Sequence, residues 1–285
     1  MLNLIGKPFR GRLINRSHPL SDGLIFAPIF NEGIGSQVLD HANLRSGSFA
    51  SAPVWSIREQ GTGLDFDGTD DRLDWDALGY DIASGPFTII SVFDIDTLNP
   101  SSAKYFFVQQ NSADNSVATL FCQSGGSVNG VLFASISTSG TGMSKVSATN
   151  TLAINTLYHI AWSYNGAGIL THANHSVFKN GVEVSYGTNV NGTSTRTTGL
   201  GKISIGGRTY DNTRNWGGFI GGTWVWNRCL SQDEIIQHYG NPYAMFQQPS
   251  RGKYSYVAAA GGVYADSWSP EIQQPVRERI EIIGY

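Results

Sequence analysis

Short apolar or alternating runs, each closed by turn residues, recur along most of the chain. Leu24-Ile25-Phe26-Ala27-Pro28-Ile29-Phe30 ends in Asn31-Glu32-Gly33. A run of that length between turn formers predicts a buried strand. Gly63 to Gly68 alternates apolar and polar positions. Phe87 to Phe93, after Gly85-Pro86, is β-branched and aromatic but for Ser91. Residues 105–109, 118–122, 131–137 and 157–164 predict further strands. Residues 176–179 and 182–184 flank Asn180-Gly181, and Asn-Gly predicts a type I′ hairpin because both central residues need positive φ. Strand signals every 10 to 20 residues or so, without long helical periodicity, predict an all-β sandwich.

One helix is expected late. Ser231-Gln232-Asp233-Glu234 is a capping box, in which the Ser231 hydroxyl and the Glu234 carboxylate each take one orphan N–H. Leu230 and Ile235 form the staple, Ile235, Ile236 and Tyr239 are expected to face inward, and Gly240 and Pro242 end the helix. Residues 1–22, with Lys7, Arg10, Arg12 and Arg16, predict a solvated arm. Residues 247–285 carry proline, small-residue runs and a terminal Arg279-Ile280-Glu281-Ile282-Ile283 suited to strand addition on a neighbour, and predict an attachment tail. The expected organisation is therefore an arm (1–22), a sandwich (23–246) and a tail (247–285).

Composition narrows the function classes. Charged residues make up 14% of the 285, against roughly 25% in an average soluble domain. With a net charge of −3 there is no basic field, which argues against a nucleic-acid partner. No apolar run reaches the roughly 18 residues of a membrane span. Met1 to Ile5 is too short for a signal-peptide core, so a standard secretory route is not expected and the sequons at Asn15, Asn174 and Asn191 carry no weight. Cys122 and Cys229 are too few for a disulfide framework and read as small buried apolar residues.

Six pieces in chain order carry a resemblance. They are Leu24 to Glu32, Phe66-Asp67-Gly68-Thr69-Asp70-Asp71, Phe87 to Ser91, His159-Ile160-Ala161-Trp162-Ser163-Tyr164-Asn165-Gly166 and Lys179-Asn180-Gly181. The close is Ile205-Gly206-Gly207, Phe219-Ile220-Gly221 and Trp226 to Ile235. Together, over residues 23–246, they resemble the laminin-G-like, concanavalin A-like jelly roll. The resemblance implies a two-sheet antiparallel jelly-roll sandwich, which joins the short C-terminal helix and the extended terminal arms already read from the residues. The ending Tyr239 to Phe246, with the proline-bearing tail after it, resembles versions of this domain in tailed-bacteriophage virion proteins. That implies a structural protein of the particle surface, a capsid decoration or tail-associated protein. It would dock on other virion proteins through residues 1–22 and 247–285, as a homo-oligomer following particle symmetry.

Candidate chemistry is sparse. Asp65, Asp67, Asp70, Asp71, Asp74 and Asp76 fall within twelve residues. Hard oxygen ligands crowded on a turn suit Ca²⁺, and laminin-G-like relatives often hold calcium on the rim, which makes Asp67, Asp70 and Asp71 the candidate ligands. The alternative is that these carboxylates cap turns. No cofactor is required. Glycosidases on this sandwich carry clustered carboxylates on one strand face, and the seven glutamates here lack that spacing, so a non-enzyme is expected. Gly125 to Asn129 misses a nucleophile elbow by its last residue. His172 and His175 lack a third metal ligand in view and read as a polar loop. Trp224 and Trp226 alternate and share a core face, whereas Trp216, with Tyr210 and Asn215, is the expected exposed platform for a surface glycan. Binding of a glycan, as in a carbohydrate-binding module or adhesin, is the alternative to the virion reading, and a glycoside hydrolase is the third.

Overall fold

The computed structural model describes residues 6–8, 11–58, 61–77, 79–96, 103–111, 116–125, 128–199, 201–209 and 214–246, without the side chains of 123–125 and 128–129. Two compact units divide the chain, 1–248 and 249–285. The tail, the strand expected at 279–283 and Tyr210 lie outside the described residues.

The strands are β1 (Leu24–Phe26), β2 (Gln37–Asp40), β3 (Arg45–Phe49), β4 (Val54–Arg58), β5 (Gly61–Asp67), β6 (Leu73–Trp75), β7 (Phe87–Phe93), β8 (Lys104–Gln110), β9 (Ser116–Gly125), β10 (Val128–Ile136), β11 (Met143–Val146), β12 (Tyr158–Tyr164), β13 (His175–Lys179), β14 (Val182–Glu183), β15 (Ile203–Ile205) and β16 (Gly217–Trp226). They form two eight-stranded sheets. The first runs β14-β13-β12-β7-β16-β5-β4, with β1 also on β16. The second runs β11-β10-β9-β8-β15-β6-β3-β2. Every pairing is antiparallel, so the fold is the expected sandwich. The hairpin is as expected too: Asn180 and Gly181 have φ of 53° and 83°. β2, β3, β4, β6, β11 and β15 are not among the strands the sequence pattern predicts: β6 and β15 are only three residues long, and the others mix polar, partly exposed positions into four or five residues.

The first sheet is buried on both faces, which is why β7, β12 and β16 carry apolar residues at successive positions rather than strictly alternating ones. Phe87, Ile89, Phe93, Ile160, Trp162 and Val225 point between the sheets. Ile90, Val92, Ala161, Phe219, Trp224 and Trp226 point the other way. This outer face is covered by Ile14, Leu20, Ile235, Tyr243, Met245 and Phe246, from the N-terminal segment, the helix α1 (Gln232–Gly240) and the 3-10 turn Ala244–Phe246.

Two expectations are corrected here. The segment before residue 23 is not a solvated arm: Trp226 Nε1 donates to Leu20 O at 2.7 Å, Arg12 Nε to Phe246 O at 3.1 Å and Arg16 Nη2 to Ala42 O at 2.7 Å. Lys7, Arg12 and Arg16 satisfy backbone carbonyls, which composition cannot reveal; Arg10 lies outside the described residues. In α1 the capping box forms, but Ile236 is 45% exposed, and the helix buries Ile235 and His238 instead.

His238 matters because of its partner. Its Nδ1 lies 2.9 Å from His159 Nε2 of β12, both rings are fully buried, and each ring's other nitrogen has no hydrogen-bond partner among the described residues. One neutral imidazole donates to another. Burial holds His159 down from 6.5 to about 3 and His238 well below its usual value, because neither charge can be solvated there. Between those pH values the unfolded chain binds protons that the folded chain refuses, so stability is complete above about pH 6.5 and is lost as the pH falls toward 3. A His238→Phe variant should be less stable than the wild type at neutral pH, with the gap closing in acid. Chemical denaturation across this pH range would contradict the argument if the gap stayed constant.

Candidate functional site

The outer face of the second sheet carries the chemistry. Leu120, Cys122, Leu132, Ala134 and Ile136 point into the core, so the alternate residues of the same strands point out. Tyr105 of β8, Phe121 of β9, Phe133 of β10 and Val146 of β11 are direct cross-strand partners. They form one row across four strands. The Tyr105 and Phe121 rings are 4.9 Å apart, and Phe121 and Phe133 are 4.8 Å apart and stacked within 7°. Phe121 and Phe133 are half-buried. Tyr105 is covered by two cations: the guanidinium carbons of Arg208 and Arg214 lie 5.4 and 5.8 Å from its ring centre, and Arg214 Nη1 donates to its hydroxyl at 3.1 Å.

About two residues further along each strand, roughly 7 Å away, a polar row runs parallel to the aromatic one. Ser144, Ser135 and Thr119 are in register, and across Val108 the row continues with Ser204, Asp74 and Ser48. Its middle is braced: Gln110 Nε2 donates to Ser204 Oγ at 2.7 Å, and Ser204 Oγ to Asp74 Oδ1 at 2.7 Å. Arg72 pairs with the same carboxylate at 2.9 Å. Thr119, Val108, Ser204 and Gln110 are buried, so the accessible part of the row is Ser135 and Ser144 beside Phe121 and Phe133, a surface with one apolar and one polar edge, as a sugar ring has.

The acidic turn adjoins one end of this face. Lys104, next to Tyr105, reaches Gly68 O at 3.2 Å, and Tyr105 N donates to Arg214 O at 3.0 Å. Asp67, Asp70 and Asp71 are brought together, each with a carboxylate oxygen within 4.8 Å of the others. Ca²⁺–O bonds of 2.3–2.6 Å permit such separations, so these side chains could supply three of six to eight oxygens. They are not equivalent. Asp71 is buried, and its two oxygens accept the N–H groups of Ala52 (3.1 Å) and Asp67 (2.9 Å); burial raises its pKa. Asp67 Oδ1 accepts from Thr69 N at 2.8 Å, and this bond lowers its pKa. Asp70 is exposed. The other acids of the cluster are partly committed elsewhere: Asp65 pairs with Arg58 and Asp74 with Arg72.

The expected glycan platform is overturned. Trp216 is fully buried, packed against Phe93 and Phe106 at 4.8 and 5.3 Å, and its Nε1 donates to Asp94 O at 3.1 Å. It is the first inward residue before β16, where the chain enters the core, so its face is not available to a sugar. Asn215 is 1% exposed and ties Thr69 O of the acidic turn. Trp224 and Trp226 are buried as expected. The aromatic row was missed, although its signal was present: Phe121 and Phe133 alternate with core residues on strands that the sequence predicts.

His175 is a core residue rather than part of a polar loop. Trp162 Nε1 donates to its Nδ1 at 3.1 Å, its Nε2 donates to Ile169 O at 2.8 Å, and its ring stacks on Tyr164 at 4.6 Å. Cys122 is buried as expected, but Cys229 is exposed.

Comparison with known proteins agrees with this architecture. Residues 67–236 match the Laminin_G_3 family, described as the concanavalin A-like lectin/glucanases superfamily. The chain belongs to that superfamily. Among solved structures, this laminin-G-like domain is similar to the binding domain of Paraclostridial Mosquitocidal Protein 1, at 12% identity and a TM-score of 0.61, over 79% of this chain and 53% of that one. It is similar to domain 4 of AbnA, a GH43 extracellular arabinanase from Geobacillus stearothermophilus in complex with arabinotriose, at 16% and 0.53, over 75% and 97%. It is also similar to Trypanosoma rangeli sialidase in complex with sialic acid, at 16% and 0.55, over 78% of this chain. It spans only 33% of the sialidase. At these identities the likeness is one of fold. No curated protein matches the sequence.

The division of labour among these residues is measurable. Trp216→Ala should cost about 3–5 kcal/mol, as for a large buried aromatic. Asp71→Ala should cost about 1–3 kcal/mol by orphaning two N–H groups, while Asp70→Ala should stay within about 0.5 kcal/mol. Urea unfolding that ranks Asp70→Ala at or above Asp71→Ala would contradict the assignment.

Proposed function

We propose that the domain is a non-catalytic recognition module that takes a glycan on the outer face of the second sheet. The row Tyr105–Phe121–Phe133, edged by Arg208 and Arg214, carries this reading. Phe121 and Phe133, stacked on each other and half-buried, offer an apolar edge, and the guanidinium groups with Ser135 and Ser144 offer donors and acceptors for sugar hydroxyls. Two of the proteins that share the fold were solved with sugars bound. That likeness supports the choice of ligand class without identifying the sugar. The described glutamates have structural duties: Glu234 caps α1, Glu183 accepts from Tyr186, and Glu32 accepts from Leu39 N. This favours binding over hydrolysis. Ca²⁺ held by Asp67, Asp70 and Asp71 would brace the rim beside the face.

A second element of the proposal is where the module is displayed. The resemblance of Tyr239 to Phe246 and the tail to phage virion proteins favours a bacteriophage particle, as a homo-oligomeric decoration or tail-associated protein. Since the described N-terminal residues are spent on the module's own first sheet, attachment to other virion proteins is assigned chiefly to residues 247–285.

A glycan array should yield a bound sugar. Phe121→Ala and Phe133→Ala should each weaken it about tenfold, the equivalent of about 1.4 kcal/mol, without a large fall in Tm. Binding that is unchanged in both variants would remove the face from consideration. Calorimetry with Ca²⁺ should give heat that is lost in Asp70→Asn, and no heat with the wild type would remove the metal. Deleting residues 247–285 should abolish association with particles while sparing glycan binding; undiminished association would count against the attachment role.

A further inference from the structure

Lys7 occupies an unusual position. Its ammonium nitrogen lies 2.5 Å from Ile29 O, 2.6 Å from Thr62 O, 2.6 Å from Gly221 O and 3.3 Å from Phe30 O. Four carbonyls from three separate parts of the chain converge on one point. The three short bonds match the three donors of a protonated ammonium.

The backbone is shaped to make this convergence. Phe30 is in the left-handed region at φ 50°, uncommon for a bulky residue, and this turns successive carbonyls, Ile29 and Phe30, the same way. In β16 the register with β7 slips between Ile220 and Gly222, so Gly221 is the extra residue of a bulge and its carbonyl is left out of that ladder. Thr62 lies in β5, and its hydroxyl donates to Phe30 O at 3.2 Å, tying two walls together. The Tyr243 ring centre is 6.0 Å from the nitrogen. The Glu32 carboxylate acts to hold Lys7 protonated, while burial, the larger effect, draws its pKa down to about 7.

A bulge, a left-handed phenylalanine and a strand entry all give up ordinary backbone partners at the same place. The chemistry they create is that of a cation site: backbone carbonyls replace the hydration shell of a monovalent ion. We propose that the carbonyls of Ile29, Phe30, Thr62 and Gly221 form a monovalent-cation receptor, which latches the N-terminal segment by holding the Lys7 ammonium and which takes a free ammonium or potassium ion when Lys7 is withdrawn. The two occupants compete, so a free cation favours release of the segment to the degree that it binds the vacated cage.

The consequence reaches beyond one residue. Pro8 O accepts from Asn31 Nδ2 at 2.8 Å, beside the cage, and Arg12 and Arg16 hold the following residues by their own carbonyl bonds. Lys7 is the outermost of these three cationic fastenings and the one with the most acceptors.

The test is chemical rescue. Thermal melts of wild type and Lys7→Ala are compared at equal ionic strength in ammonium, potassium and tetramethylammonium chloride. The variant should melt lower than wild type in tetramethylammonium, which is too large for the cage, and recover by roughly 2 °C or more in ammonium or potassium. Wild type should melt alike in all three, and Lys7→Met, whose side chain fills the cage, should not recover. Equal melting of Lys7→Ala in the three salts, or an equal gain by the wild type, overturns the proposal. A measurement on the unmutated protein covers the case in which Lys7→Ala does not fold. Acetylation of Lys7 by acetic anhydride, read by mass spectrometry, should be slow relative to exposed Lys202 and should accelerate in potassium over tetramethylammonium. Labelling of Lys7 at the Lys202 rate, or without cation dependence, overturns it equally.

Discussion

The structure depends on burying both faces of one sheet. β7, β12 and β16 present large apolar side chains on each side, so a sandwich of two sheets satisfies only half of their surface. The remaining half, with Trp224, Trp226, Ile90 and Phe219, would be a large exposed apolar patch on a two-layer molecule. Three segments close it: the N-terminal residues, α1 and the 3-10 turn at Ala244–Phe246. None is long enough to be stable alone; the N-terminal segment and α1 are held by polar bonds into the layer beneath, Trp226 to Leu20 O and His159 to His238, and the turn is tied to the N-terminal segment by Asn15 N to Met245 O and Arg12 Nε to Phe246 O.

This third layer sets the function geometry. The face covered by Ile14, Leu20, α1 and the turn at Ala244–Phe246 is closed to a ligand, whereas on the outer face of the second sheet the described residues form a small apolar cluster of Ala103, Tyr105, Val108 and Phe121, with Phe133 stacked beside it. Its aromatic and hydroxyl rows remain in reach of solvent at Phe121, Phe133, Ser135 and Ser144. The asymmetry between the sheets therefore leaves the proposed recognition face to the second sheet and makes the first the cohesive one. The buried layer also has its own polar cost, seen in the paired histidines and in the Lys7 cage, where groups that prefer water are kept by specific partners.

Much of the fold was legible in the sequence because its signals are local. Phe87 to Phe93 reads as a strand from its own residues, Asn180-Gly181 demands positive φ, and Ser231 with Glu234 caps a helix whatever lies around it. The acidic turn was legible as a cluster for the same reason: Asp67, Asp70 and Asp71 are neighbours in the chain. Strands β2 and β3, at one end of the second sheet, were not, since partly exposed polar strands lack a pattern of their own.

What only the tertiary structure decided is which face of each strand meets a second layer. A period of two states that Phe121 and Phe133 oppose Leu120 and Leu132, but not that the cross-strand register joins them to Tyr105 in one row. Trp216 sits among Asn, Asp and Arg, and its neighbours suggest an exposed loop; it is buried because β16 carries it between the sheets onto Phe93 and Phe106. Lys7 likewise looks like a solvated charge, and its four acceptors come from residues 22 to 214 positions away. The sequence by itself determined where strands, turn and cap form, since those depend on residues a few positions apart. Burial, register and the partners of lone charges belong to the folded chain, because they depend on groups that only packing brings together.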